Sequence, residues 1–173
     1  TEFCDAMSAM QLTSFNTVYA DKHDSIFYVS NGLLPKRNPE IDFTVTVAGK
    51  TEKALWDSYY DFDDLPQQIN PESGYLFNTN HSPCLASGFM DNMNPEDYPK
   101  GMNYLRRDNN RSTRFRELMD DSTKISYEDF KRIKYDGQLP ENLAYRTNME
   151  SLFTLNPKKY PEIKQHIKII QAW

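Results

Sequence analysis

The spacing of apolar positions changes character several times along the chain. Phe3, Ala6, Met7 and Met10 recur at helical spacing and predict a short amphipathic helix within residues 2–11. From Phe15 the pattern becomes that of a strand, Phe15-Asn16-Thr17-Val18-Tyr19-Ala20-Asp21. The turn-like Lys22-His23-Asp24 and a second strand, Ser25 to Ser30, follow, closed by Asn31-Gly32. Together they predict a β-hairpin. Asp42 to Gly49 carries the cleanest alternation, Phe43, Val45 and Val47 against Thr44, Thr46 and Ala48, and predicts a further strand. Tyr75-Leu76-Phe77 predicts a short aromatic strand. Asn70-Pro71 and Gly74 open it, and it runs into the polar cluster Asn78 to Ser82 before Pro83. Proline, glycine and asparagine then punctuate an irregular stretch to about residue 104, of a length that usually marks a functional or disordered loop.

The second half turns helical. Phe115, Leu118 and Met119 share one side of a helix over 111–119. Ser126 is an N-cap candidate, with Asp129 three residues on and Ile125 placed to staple against Phe130. Tyr127, Phe130, Ile133 and Lys134 continue that helix, and Gly137 is its candidate stop. Pro140 permits another helix carrying Leu143, Ala144, Met149, Leu152 and Phe153, which Asn156-Pro157 breaks. A last helix runs from near Pro161 through Ile163, Ile167 and Ile170 toward Trp173. The fold class is α+β, with antiparallel strands in the first half and helices in the second. The division falls into a sheet-rich part, 1–104, and a helical part, 105–173.

Composition narrows the function. The 173 residues suit one domain, and a 38% hydrophobic content with eleven Tyr and ten Phe supports a core built largely on aromatics. No apolar run approaches the roughly 20 residues of a membrane helix. A net charge of -5 argues against a general nucleic-acid binder. Arg106, Arg107, Arg111, Arg114 and Arg116 form a basic group, read as a solvated helix face with ion pairs at the core edge. Cys4 and Cys84 either pair in an oxidising compartment or stay free, and no zinc spacing is present. His23, His81 and His166 lack ligand spacing, and nothing in the spacing of Ser82, His81 and Asp91 supports a triad.

Residues 70–83 carry the candidate chemistry. A strand that delivers carboxamides into a segment stiffened by proline can hold a neutral donor still, as an oxyanion hole requires. The same residues are also ordinary turn formers. Here Asn70-Pro71, Gly74-Tyr75 and Asn78-Thr79-Asn80-His81-Ser82-Pro83 resemble a segment of the penicillin acylase (penicillin amidase) family of N-terminal-nucleophile hydrolases. The hairpin resembles the family too, in Asn16, Tyr19-Ala20-Asp21, Ile26, Tyr28, Gly32, Pro35 and Arg37. Asp24 departs from it, standing where the family often has glycine. The order of Trp56 and Leu65-Pro66 before Asn70-Pro71 also resembles the family.

The resemblance implies roles for particular residues. Asn80 is the implied oxyanion donor. Arg111 is the implied arginine that orients it and contacts substrate, with Arg114 a near competitor. Asp91 is the implied ligand of a structural calcium, and no organic cofactor is implied. Trp56 and Phe77 are candidate substrate contacts, although the aromatics from Trp56 to Phe62 read equally well as an acyl-pocket wall or a lid on the core.

The implied fold is part of the αββα architecture of these hydrolases, from the interior of the catalytic β chain. The implied reaction is hydrolysis of the amide of an N-acyl compound through an acyl-enzyme: a β-lactam side chain, an acyl-homoserine lactone or a lipopeptide. Thr1 has the chemistry of a nucleophile but stands closer to the hairpin than the family nucleophile does. The expectation is therefore an excised segment, inactive alone, whose nucleophile comes from the remaining acylase chain or chains. The partners expected are that remainder and a small-molecule N-acyl amide, with no nucleic acid and no membrane, in a periplasmic or secreted location. The alternative is a non-catalytic binding or scaffold domain that keeps the acylase fold.

Overall fold

The computed structural model describes residues 2–104, 106–119, 124–144 and 150–172. The expected hairpin is its centre. Strand β1 (Phe15–Ala20) pairs antiparallel with β2 (Ile26–Asn31), Phe15 opposite Asn31 and Ala20 opposite Ile26. The Asp21 carboxylate accepts the backbone N–H of His23 at 2.7 Å and of Ser25 at 3.1 Å, which folds the turn. Asp24 takes φ +61°, a left-handed conformation that aspartate tolerates better than most residues, so it meets a demand glycine would meet freely.

The third strand differs from expectation. It is β3 (Gln67–Ile69), antiparallel to the free edge of β2, giving the order β1-β2-β3. Neither predicted strand further along forms. In 42–49 the Asp42 carboxylate accepts from both the N–H (2.9 Å) and the hydroxyl (2.6 Å) of Thr44. That local bond competes with extended pairing, and Val45 stands 62% exposed. Tyr75–Phe77 is not a strand either: the Phe77 N–H goes to the Ala86 carbonyl at 2.9 Å and closes a loop. Its rings join a cluster, Phe77 stacked on Phe115 at 4.4 Å and Tyr75 edge-on to Phe115 at 6.0 Å.

Helix α1 (Glu2–Ser8) lies against the sheet, with Phe3 stacked on Tyr19 at 4.3 Å and edge-on to Phe27 at 6.3 Å. Phe27, Val29 and Leu65 form the core beneath it, and Met10 packs there as well. Ala6 of the predicted stripe is exposed.

Beyond Pro83 the chain runs through short 3₁₀ turns to helix α2 (Asn110–Met119). Helix α3 (Tyr127–Lys134) starts as predicted, with the Ser126 hydroxyl oxygen accepting the Asp129 N–H at 3.1 Å. It ends at Lys134, and Gly137 does not adopt the left-handed conformation of a glycine stop. The helix predicted from Pro140 is not helical over 140–144. Residues 145–149, with Met149, lie outside the described residues, and one turn, α4 (Glu150–Phe153), follows. Helix α5 (Lys164–Gln171) continues from a 3₁₀ turn at Pro161–Ile163. Among the described residues no helix is long and apolar enough to cross a membrane.

Candidate active site

Three pieces of chain converge on the predicted site: β1, the loop from Asn70 to Asn92, and the start of α2. Asn70 anchors the loop to β2, accepting the Ile26 N–H on its side chain at 2.8 Å and donating its own N–H to the Ile26 carbonyl at 3.0 Å. Gly74 turns at φ +74°. Gly88 sits so close to this turn that a Cβ there would lie 2.5 Å from the Ser73 Cβ.

The polar cluster is held by its own side chains. The Asn78 side-chain oxygen accepts the Asn80 N–H at 2.9 Å, an Asx turn, and the Asn16 amide of β1 at 3.1 Å. Asn80 takes φ +59° within that turn, which asparagine tolerates. His81 is buried and stacked on Phe77. Its Nε2 lies 2.7 Å from the Leu85 carbonyl oxygen, which can only accept, so the proton is assigned to Nε2. Nδ1 is then left to accept from the Thr79 hydroxyl at 3.0 Å and the Thr79 N–H at 3.3 Å. Burial lowers the His81 pKa, against the Leu85 bond, which raises it. With both nitrogens engaged, the imidazole braces the loop.

Helix α2 delivers the arginine. Asn109 precedes it, its side-chain oxygen accepting the Ser112 N–H at 3.0 Å while the Ser112 hydroxyl oxygen accepts the Asn109 N–H at 2.8 Å. This reciprocal cap fixes the first turn, and with it Arg111. Arg111 Nη2 donates to the Asn80 side-chain oxygen at 3.2 Å. Arg114 is drawn elsewhere, bidentate to Asp136 at 2.8 and 3.2 Å and bonded to Glu117 at 3.2 Å. Arg106 pairs with Glu96 and Arg116 with Asp108, as expected for core-edge ion pairs. Among the described residues Arg111 has no carboxylate partner. Of the two candidate arginines, Arg111 is the one that meets Asn80.

That bond orients the carboxamide. With Oδ1 accepting from Arg111, Nδ2 is the end left to donate, and among the described residues nothing accepts from it. Asn80 and Arg111 are both exposed. Beside them opens a hollow of about 590 Å³, lined by Arg111 and by apolar side chains including Leu76, Phe77, Phe115 and Ile133. Trp56 does not line this hollow. It lies half exposed under the Arg37 guanidinium, 5.4 Å from ring centroid to Cζ.

Asp91 is bonded into the turn that precedes the polar cluster. Its carboxylate accepts the N–H of Ser73 at 2.7 Å and of Glu72 at 3.2 Å, and hydrogen bonds from Ser73 lower its pKa. Among the described residues no three His, Cys, Asp or Glu side chains gather as a metal cluster. Calcium takes about six to eight oxygens; within the described residues the Asp91 carboxylate braces the 72–73 turn.

Over residues 1–173 the sequence matches the penicillin amidase family. The chain belongs to that family. It is 38% identical over 76 residues to penicillin G acylase of Escherichia coli, across 44% of this chain and 9% of that protein. The structure superposes on thermostable penicillin G acylase from Alcaligenes faecalis with a TM-score of 0.59 at 26% identity, covering 99% of this chain and 29% of that one. The chain thus spans less than a third of the length of these relatives, and its α+β arrangement is part of the penicillin acylase fold.

Three residues of this acylase segment escaped the sequence reading. Asn16 and Asn78 were noted only as motif positions, and Asn109 not at all. Asn109 could have been found, since Asn109-Asn110-Arg111-Ser112 places an N-cap residue three before a side chain able to return the bond.

Proposed function

We propose that this chain is the oxyanion-stabilising segment of an acylase that hydrolyses the amide bond of an N-acyl compound. The observation that carries the reading is the 3.2 Å bond from Arg111 to the Asn80 side-chain oxygen, which turns Nδ2 outward as a preorganised neutral donor. A hydroxyl or thiol nucleophile from the rest of the full-length protein attacks the amide carbon, and the carbonyl oxygen becomes negative. Asn80 Nδ2–H donates to that oxygen. Collapse expels the amine, which takes up a proton, and leaves an acyl-enzyme; water then repeats the addition and releases the acid. Asn80 serves both tetrahedral intermediates. Arg111 holds the carboxamide and keeps a charge free of carboxylate partners among the described residues, suited to an anionic group on the substrate.

Phe77, packed between His81 and Phe115, forms part of the apolar wall that would face an acyl group. That wall supports an aryl or alkyl acyl chain, as in a β-lactam side chain, an acyl-homoserine lactone or a lipopeptide. An exported location is part of the reading and rests on the family alone.

The test is pre-steady-state hydrolysis by the full-length protein over a panel of such N-acyl amides. The expected result is a burst of about one equivalent of amine per enzyme, followed by slower release of acid. A folded full-length protein that hydrolyses none of them would point instead to a scaffold that keeps the fold without the chemistry.

A further inference from the structure

The peptide unit joining Thr79 to Asn80 is held at both ends. Its N–H donates to the Asn78 side-chain oxygen at 2.9 Å. Its carbonyl, that of Thr79, accepts from the Asn109 side-chain amide at 3.0 Å. The plane of that unit sets the direction in which Asn80 leaves the backbone, and Asn80 holds φ +59°, a conformation with few alternatives for a residue with a side chain.

Asn109 is also the cap of α2. Its side-chain oxygen accepts the N–H of Ser112, a residue with no exposed surface. One carboxamide therefore uses its oxygen to fix the helix turn that carries Arg111 and its nitrogen to fix the peptide that carries Asn80. The two members of the site are referenced to a single side chain, two residues from Arg111 and bonded to the Thr79 carbonyl just before Asn80.

We propose that Asn109 is a positioning residue for the oxyanion donor, acting through the Thr79–Asn80 peptide plane. The inference rests on the oxyanion reading of Asn80. A helix cap alone would need only the oxygen, and serine or aspartate supplies that equally well. A serine hydroxyl can also donate, but from the same short-armed atom that caps, whereas the carboxamide caps with its oxygen and reaches the Thr79 carbonyl with a separate nitrogen.

The experiment is a double-mutant cycle in the full-length enzyme, with kcat, KM and thermal midpoint measured for Asn109→Ser, Asn80→Ala and the pair. Asn109→Ser keeps a cap and loses the reach to Thr79. The expected result is a loss in kcat of roughly tenfold or more, with KM within about twofold. The same substitution in the Asn80→Ala background should then cost nothing further, because its effect passes through Asn80. An equal loss in both backgrounds, or no loss in either, overturns the positioning role. If Asn80→Ala itself keeps its kcat, the oxyanion reading has failed, and that outcome is separate from the first. Should Asn109→Ser not accumulate folded, Asn109→Asp, which caps with the same reach but has no donor, is read by the same ratio between backgrounds.

Discussion

The imidazole of His81 lies on the ring of Phe77, centroids 4.5 Å apart and planes 17° from parallel. Thr79, inside the Asn78–Asn80 turn, is bonded to His81 Nδ1, so the protonation state of His81 bears on the loop that presents Asn80. Protonation would put a second proton on Nδ1, facing the Thr79 N–H and hydroxyl that now donate to it.

This gives a pH dependence of defined sign. Burial depresses the folded-state pKa of His81 below its ordinary 6.5. As pH falls through that value the unfolded chain takes up a proton before the folded one does. The contribution is fully present above about pH 6.5, shrinks as pH falls toward the folded pKa, and levels off below it. The thermal midpoint of the full-length protein should fall between about pH 7.5 and 5.5, and His81→Gln, which can still donate to Leu85 but does not titrate, should flatten that slope. An unchanged slope in the variant would remove His81 from the account.

Arg111 and Arg114 separate cleanly by geometry and should separate by kinetics. Arg111→Ala frees the Asn80 carboxamide to rotate, and kcat should drop roughly 10- to 100-fold. Arg111→Lys should recover only part of this, since an ammonium does not offer the planar fork of a guanidinium. Arg114→Ala removes the link from α2 to Asp136 and should lower the thermal midpoint while leaving kcat within about threefold. The reverse assignment of the two effects would contradict the site as described.

Asp91 offers a test of brace against metal ligand. Asp91→Asn keeps one acceptor for two backbone N–H donors and should destabilise the full-length protein by about 1 kcal/mol. A brace predicts the same loss with and without a chelator. If the variant instead abolishes a stabilising effect of added calcium, the carboxylate is a calcium ligand.

Legibility in the sequence followed the range of the forces involved. The hairpin and the Ser126 cap of α3 rest on neighbours a few residues apart, so composition and spacing suffice to read them. Phe43 to Val47 alternates as a strand would, yet alternation supplies only a face. A ladder also needs a partner, and the Asp42–Thr44 bond offers the backbone a nearer one. Gln67–Ile69 shows the converse: two glutamines advertise no strand, but the free edge of β2 accepts them. At the site, Asn80 and Arg111 were named through the resemblance. What the sequence did not carry was their bond across 31 positions, the choice of Arg111 over Arg114, and Asn109, whose second partner lies 30 residues away.

The most direct measurement is kcat for Asn80→Ala in the full-length enzyme, on a substrate the wild type hydrolyses, with acyl-enzyme formation followed separately from its breakdown. A donor that serves both tetrahedral intermediates should slow both steps, by about 100- to 1,000-fold, with the thermal midpoint little changed. A folded variant whose acylation and deacylation rates stay within about tenfold of wild type would contradict the account, because the outward-turned amide of Asn80 would then have no part in holding the oxyanion.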